Sequence, residues 1–328
     1  MLFRSKVRVI LSGTPITKGL EDLFTQFQFL DQNIIGLSNF YAFRNRYCVT
    51  VPAFRGAAMG AVKITGYRNV EEFVNKIAPV SFVVPKDVLG LPEKTYERRE
   101  VPMTTEQKRL YRSMAQELVE DLRAQRIATP ANAAVRITRL QQILCGRVVT
   151  AEEVDEETVE IGVSPVASRR LEALLDVLGE HDGQAVIWCR FTDDIREIES
   201  LLREDGVPVV TYYGATTDAD RAEAVRKFKD GEARYFIANP AAAGTGLDGL
   251  QVAGLAVYYS NAFAAENRWQ SEDRIHRIGM AGRAHYVDLV VPGSVDGLIL
   301  NNLKKKGDLA RAVFEDPESL IAEEDERE

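Results

Sequence analysis

The residues with the clearest chemical potential lie between Trp269 and Gly279, where two arginines stand among polar side chains. Gln270, Arg274 and Arg277 are four and three residues apart, which predicts that they share one face of a helix. Two guanidiniums and an amide are costly to bury in an apolar core, because charged groups lose their hydration there. A guanidinium is a planar fork of donors that suits phosphate oxygens. The segment therefore predicts a surface that meets an anionic ligand.

A second candidate segment, residues 241–250, places glycines in a turn that follows an apolar strand. Gly244 and Gly246 flank Thr245, and glycine lets backbone N–H groups approach phosphate oxygens closely because it has no side chain. A lone G-x-G pattern is weak evidence.

The elements that must position these residues begin at residue 168, where helical and strand patterns alternate. The predicted strands are 184–191, 207–213, 233–239, 254–260 and 284–291, and the helices between them include 168–178 and 217–229. Such alternation predicts a parallel sheet covered by helices, whose ligands bind beyond the carboxyl ends of the strands. Arg190, Phe191 and Gly214 fall at such ends.

The first half of the chain is predicted to be mostly helical. Residues 7–11 read as a buried strand that leads through Ser12 and Thr14 into a helix over 20–30, and further helices are predicted over 105–126 and 133–144. Between residues 40 and 78, aromatic and basic side chains mingle. They could bind nucleic acid through phosphate contacts and stacking, or the aromatic rings could simply pack the fold, which is favoured for most of them.

Charge is distributed unevenly along the 328 residues, although the net charge is −8. Residues 1–150 hold 22 Lys and Arg against 13 Asp and Glu, whereas residues 151–328 hold 19 against 36. The balance is compatible with a basic groove in the first part and solvated acidic appendages in the second, or with soluble surfaces alone. The acidic stretches are interpreted as a loop over 151–166 and a disordered tail over 307–328.

Cysteine usage and hydropathy limit the cellular setting. Cys48, Cys145 and Cys189 are far apart and form no C-x-x-C pair, which suits a reducing compartment and argues against a structural zinc site. No apolar run approaches the roughly 20 residues of a membrane helix, and the apolar run near residue 10 is too short for a signal peptide. We expect a protein of the cytoplasm or nucleoid that is neither secreted nor bound to a membrane.

The segment from Gln270 resembles the last motif of superfamily-two helicases, in the form Q-x-x-D-R-x-H-R-I-G-Q used by SWI/SNF-type DNA translocases. The matching residues are Gln270, Asp273, Arg274, His276, Arg277, Ile278 and Gly279, while Met280 replaces the final Gln. The alternative is a solvated basic helix turn. Residues 12–16 resemble motif III of this family, and residues 91–146 resemble the segment that joins its two lobes.

The resemblance implies the end of a first RecA-like lobe over 1–40, a helical insertion over 41–150, and a complete second RecA-like lobe over 167–306. It also implies ATP as the nucleotide and double-stranded DNA as the partner. Arg277 would be the arginine finger, Arg274 would lie beside it, and Gln270 would position nucleotide or water. Gly244, Gly246 and Asp273 would adjoin the nucleotide. The DNA contacts would be Ser12, Thr14, Arg190, Phe191, Gly214 and Thr245.

Several features depart from the family pattern. The sequence contains no G-x-x-x-x-G-K-[ST] loop, and residues 155–157 are a poor Mg²⁺ site because they follow no apolar strand. We therefore expect ATP hydrolysis only when a first lobe carrying the Walker lysine and the Mg²⁺ ligands completes the motor, from a second polypeptide or a longer chain. Asp248 and Gly249 stand where the family has Asn-Leu, and Ala264 and Ala265 replace Asn-Pro, which puts the detailed DNA contacts in doubt.

Two other functions remain open. The chain could be a catalytically inactive nucleic-acid-binding or regulatory module that retains the helicase C-terminal lobe. The two arginines count against this reading, and the missing phosphate loop counts for it. A glycosyl- or phosphotransferase on a similar sheet would need a glycine-rich loop at the first strand, where none is visible.

Overall fold

The computed structural model describes residues 7–16, 19–52, 62–84, 86–124, 130–153, 159–243, 247–262, 264–280, 282–301 and 303–304. The chain divides into two compact units, Met1–Gly90 with Leu303–Glu328, and Leu91–Asn302. The domain boundaries predicted from the sequence stay predictions. Across the described residues, no helix is both long and apolar enough to cross a membrane.

Among its described residues, the first unit contains four α-helices and a pair of antiparallel strands. Its elements are α1 (Glu21–Leu30), α2 (Gln32–Ile35), α3 (Phe40–Tyr47), β1 (Cys48–Pro52), β2 (Val62–Tyr67) and α4 (Val70–Ile77). Phe43, Tyr47 and Phe73 are fully buried and pack with tilted or edge-to-face rings 5.1–5.6 Å apart. Core packing is thus confirmed for these aromatic residues, whereas Tyr41 is exposed.

The predicted strand over residues 7–11 is wrong, because this stretch forms no strand in the structure. Val7, Val9 and Leu11 are 75%, 69% and 93% exposed. A β-type sequence becomes a strand only where a neighbouring strand supplies ladder hydrogen bonds. Among the described residues of this unit, only β1 and β2 form a sheet, and they pair with each other.

The second unit contains a six-stranded, fully parallel sheet in the order β3-β10-β9-β6-β8-β7. Its strands are β3 (Thr95–Glu100), β6 (Ala185–Trp188), β7 (Val209–Tyr212), β8 (Tyr235–Ala238), β9 (Leu255–Tyr258) and β10 (His285–Val290). Its helices are α5 (Thr105–Arg123), α6 (Pro130–Leu144), α7 (Arg170–Gly179), α8 (Thr192–Glu204), α9 (Asp218–Lys229), α10 (Pro240–Ala243) and α11 (Ala265–Ile275). The predicted α/β class, a helix-covered parallel sheet after a mostly helical region, is confirmed.

The central strands are short and buried along their whole length. Every residue of β6, β8 and β9 is buried, as expected where helices cover both faces of a parallel sheet. Trp188 ends β6 and is fully enclosed, with its ring stacked 6.4 Å from Tyr258. This core holds the strand ends and the helix starts in fixed positions.

Strand β3 was not predicted from the sequence. Its residues alternate between partly exposed and exposed, so the hydrophobic signal is weak. It becomes a strand because β10 pairs with it in parallel over six residues, from His285 with Thr95 to Val290 with Glu100. Lys94 and Pro92, which precede β3, are thereby fixed to the second unit.

The predicted acidic loop over 151–166 is wrong where the structure describes it. Strands β4 (Arg147–Glu153) and β5 (Val159–Pro165) form an antiparallel hairpin. The hairpin is tied to α8, because Arg147 bonds to Asp194 and Glu197. Arg147 is mostly buried against the Asp194 carboxylate, so an ion pair anchors the first residue of the hairpin to α8. The β-branched residues Val148, Val149, Thr150, Val159, Ile161 and Val163 favour strands, although acidic residues surround them.

Asp194 should make the stability of the second unit depend on pH. Its carboxylate is fully buried, and burial raises its pKa to about 6 despite Arg147. Because the pKa of Asp194 is higher in the folded protein, its protonated form stabilises the native state. This contribution is complete below the unfolded pKa near 3.8 and is lost as the pH rises through about 6. We expect the difference in unfolding free energy between the wild type and Asp194→Asn to change by up to about 3 kcal/mol between pH 4 and pH 7.

Urea unfolding followed by tryptophan fluorescence measures this effect. The only tryptophans, Trp188 and Trp269, lie in the second unit. Asp193→Asn is the matched control, because it removes the same charge from the exposed neighbouring carboxylate. Parallel pH profiles for the wild type and Asp194→Asn would contradict the prediction.

Candidate nucleotide and nucleic-acid site

Helix α11 carries most of the predicted nucleotide residues but ends earlier than the sequence suggests. Gln270, Asp273 and Arg274 lie on α11, which stops at Ile275. The prediction that Arg277 shares a helical face with them is wrong. His276 caps the helix at ψ 81°, and its Nε2 donates to the Pro92 carbonyl at 2.7 Å. This contact turns the chain out of the helix before Arg277.

A buried ionic cluster, named here the α11 clamp, fixes the end of this helix. The Glu272 carboxylate accepts from Arg268 Nε at 2.7 Å, Lys94 Nζ at 2.9 Å and the Tyr96 hydroxyl at 2.7 Å. The Tyr286 hydroxyl donates to the Glu272 carbonyl at 2.9 Å. Burial alone would raise the pKa of Glu272, but the charges of Arg268 and Lys94 hold it below its usual value.

Arg268 also ties α11 to the middle of the sheet. Its guanidinium bonds to both carboxylate oxygens of Asp288 in β10 and to Asn261 Oδ1 at 2.9 Å, and it lies 3.4 Å from the Tyr258 ring centroid. Sequence reasoning missed this group. Two signals could have revealed it: the i, i+4 spacing of Arg268 and Glu272, and an aspartate inside the otherwise apolar strand β10.

Arg274 and Arg277 converge on two consecutive residues, Leu247 and Asp248. Arg274 Nη1 donates to the Leu247 carbonyl at 3.1 Å, and Arg277 Nη1 lies 3.0 Å from Asp248 Oδ1. Burial lowers the pKa of Arg274, and the nearby charge of Arg277 adds to this effect. The structure therefore brings the two arginines together although only one belongs to α11.

The other predicted nucleotide residues have different surroundings. Gln270 Nε2 donates to Glu266 Oε1 at 2.9 Å on the exposed side of α11. Asp273 lies 3.7 Å from Lys94 Nζ and so adjoins the α11 clamp. Gly244, Thr245 and Gly246 lie outside the described residues, so their predicted phosphate contacts stay predictions.

The residues after β6 and β9 form a separate group. Arg190 donates through its guanidinium to Gln141 Oε1 and, at 3.1 Å, to Thr138 Oγ1, both on α6. Its backbone N–H donates to Ser260 Oγ at 2.8 Å, and burial lowers the pKa of its side chain. Arg190 is thus held by α6, an arrangement that the sequence did not indicate. Arg268, which bonds to Asn261 after β9, lies about 9 Å along α11 from Arg274.

A cleft of about 580 Å³ opens beside Phe191. It is lined by α6, the β4–β5 hairpin and the start of α8, through Val135, Thr138, Arg139, Gln142, Arg147, Val149, Val163, Phe191, Thr192 and Asp193.

Gly214 lies after β7, where a Cβ would meet no atom within 4 Å, so packing does not require glycine there. The space beside it is open to a ligand.

Ser12 and Thr14 lie in the first unit. The Thr14 N–H donates to Ser12 Oγ at 3.1 Å, which closes a short turn. Ser12 is exposed and Thr14 is half-buried. Next to them, the Pro15 carbonyl accepts from Gln26 Nε2 at 2.7 Å, which anchors the turn to α1.

The fold and the arginine-bearing helix define a RecA-like helicase lobe. Residues 169–285 match the profile of the helicase conserved C-terminal domain, and residues 1–148 match that of the SNF2-related domain. These two matches, which together span most of the chain, support a SWI/SNF-type protein of helicase superfamily two.

Similar proteins span much longer sequences. YwqA of Bacillus subtilis, named as a candidate ATP-dependent helicase/translocase, is 24% identical over 91% of this chain and 31% of its own length. Protein CHROMATIN REMODELING 4 of Arabidopsis thaliana is 24% identical over 93% of this chain and 14% of its own length. The chain therefore spans less than a third of either relative. The crystal structure of the C-terminal part of the Fun30 ATPase domain matches 70% of this chain and 99% of its own, at 16% identity and a TM-score of 0.50.

Proposed function

We propose that this chain provides the arginine-finger lobe and a DNA-tracking surface of an ATP-dependent DNA translocase. Arg277 binds the nucleotide phosphates as the finger, Arg274 lies beside it, and Gln270 positions nucleotide or water. Gly244, Gly246 and Asp273 adjoin the nucleotide. Ser12, Thr14, Arg190, Phe191, Gly214 and Thr245 contact the DNA backbone. ATP supplies the phosphoanhydride that is hydrolysed.

The observation that carries the proposal is the meeting of Arg274 and Arg277 at Leu247 and Asp248. Two guanidiniums held side by side repel each other, and a bound phosphate chain would reduce this repulsion. The α11 clamp keeps them in place, because Glu272 and His276 anchor the helix end to Lys94 and Pro92. A preorganised donor pair is suited to stabilising charge that develops on a transferred phosphoryl group.

We further propose that a first lobe from another part of a longer chain, or from a second polypeptide, completes the motor. The exposed side chains of Val7, Val9 and Leu11 support this, because alternating apolar residues suit a strand that joins another sheet. Among the described residues, no cluster of three or more His, Cys, Asp or Glu could hold a metal ion. The Mg²⁺ ligands are therefore proposed to lie on the first lobe.

ATP turnover by the purified chain, with and without double-stranded DNA, tests the proposal. We expect almost none from the chain alone, and DNA-stimulated turnover once a Walker-bearing first lobe is added. A chain that hydrolyses ATP unaided would contradict the two-lobe arrangement. A completed motor that stays inactive would favour the inactive regulatory module.

DNA binding should weaken with salt. Contacts between arginines and phosphates release counterions, so the logarithm of affinity falls linearly with the logarithm of salt concentration. Raising the salt from 50 to 200 mM should weaken binding by about 3.5-fold for each phosphate that an arginine or lysine neutralises. Fluorescence anisotropy with a labelled duplex measures this slope, and an affinity that does not change with salt would contradict the phosphate contacts.

A further inference from the structure

Asp248 is the one acidic side chain with a described ion pair to Arg277. Their side chains are 62% and 40% exposed, so solvent reaches both. Glycines with positive φ set both turns, at 117° for Gly249 and 96° for Gly279. Residues other than glycine rarely adopt these angles, so the backbone next to Asp248 and close to Arg277 depends on glycine.

The charge of Asp248 also acts on the neighbouring arginine. It favours the charged form of Arg274, which opposes the effects of burial and of Arg277. Asp273 favours the charged form of Arg274 more strongly and also adjoins Lys94, whereas Glu272 is buried against Arg268. What distinguishes Asp248 is that it acts on Arg274 and also has a described ion pair with Arg277.

We propose that Asp248 is an internal anion that competes with ligand phosphates for Arg277 and thereby sets the affinity of this surface for polyphosphate. The proposal rests on the assignment of Arg277 to phosphate binding. In the unliganded chain, Asp248 holds the guanidinium near its working position and keeps two positive charges from repelling each other. A polyphosphate must displace this carboxylate, so part of its binding energy goes to breaking the ion pair.

The effect of Asp248 on phosphate affinity is limited because both side chains of the ion pair are exposed to water. Exposed ion pairs seldom shift an equilibrium by more than about fivefold, because water screens them. Asp248 therefore acts as a modest adjustment of affinity, and its removal should strengthen phosphate binding by about two- to fivefold. A purely structural role for Asp248 would lead to unchanged or weaker binding on its removal.

Calorimetric titration of the whole chain with inorganic tripolyphosphate at low salt tests the proposal. Asp248→Asn should bind about two- to fivefold more tightly than the wild type. Asp230→Asn is the matched control, because Asp230 also forms an exposed ion pair, at 3.1 Å with Arg226, and its removal changes the net charge equally. This control should bind as the wild type does.

The double variant Asp248→Asn with Arg277→Ala separates the specific contact from general charge. We expect the gain to vanish in this background, since Asp248 acts through Arg277. An equal gain in the control, no gain for Asp248→Asn, or a gain that persists without Arg277 would each overturn the proposal. If Arg277→Ala alone leaves tripolyphosphate binding unchanged, the phosphate role of Arg277 fails, and the role of Asp248 fails with it.

Discussion

Arg277→Ala is expected to lower the DNA-stimulated ATP turnover of the completed motor by about 10³-fold or more. An arginine finger contributes roughly 10³ to 10⁵ in rate by neutralising charge in the transition state. Arg277 is half-exposed and its described ion pair is the displaceable one with Asp248, so its guanidinium is available to a ligand. The loss should appear mainly in kcat, because the finger acts on the transition state more than on the bound ground state.

Two further variants sharpen this test. Arg277→Lys keeps the charge but lacks the planar fork of donors, so it should remain strongly impaired. Arg226→Ala is the matched control, because Arg226 forms exposed ion pairs with Glu223 and Glu232 on α9 and in the turn after it. We expect this control to retain turnover within about twofold. Turnover that survives Arg277→Ala at a similar level would refute the finger assignment.

Asp288→Ala is expected to destabilise the second unit by about 3–5 kcal/mol. Breaking a buried ion pair usually costs about this much, and Arg268 would then keep Glu272 as its one buried carboxylate partner in place of two. Asp288 accepts three hydrogen bonds, two from Arg268 and one from Asn261, and both its partners are buried. The loss would also loosen α11, since Arg268 links that helix to the sheet.

Urea unfolding followed by tryptophan fluorescence reports on this unit alone, because Trp188 and Trp269 both belong to it. The conservative variant Asp288→Asn keeps an acceptor for Arg268 and should lose less stability than Asp288→Ala. Replacing Arg268 by Met together with Asp288→Ala removes both charges and should recover part of the loss. A change below about 1 kcal/mol for Asp288→Ala would show that the buried pair contributes little.

The candidate site was only partly predictable from the sequence. Arg274 and Arg277 were found because their types and spacing are unusual for a packed helix, and the structure places them together. Lys94 carried no local signal for its role, since its partner Glu272 is 178 positions away in the chain. Arg190 was predicted as a DNA contact, and its guanidinium proves to be held by Gln141 and Thr138 of α6.

The sequence by itself determined the alternation of strands and helices in the second unit. Periodicity of apolar residues is a local property of the sequence. Short apolar runs such as β6 and β8 indicate strands that are buried on both faces. The tertiary structure alone decided where weak patterns became regular. Residues 95–100 became a strand because β10 offered its edge, and residues 7–11 did not, because no strand of the described first unit pairs with them. It also decided that α11 ends before Arg277, through the Pro92 carbonyl that His276 reaches. Hydrogen-bond partners distant in the chain set these outcomes, and local periodicity contains no information about them.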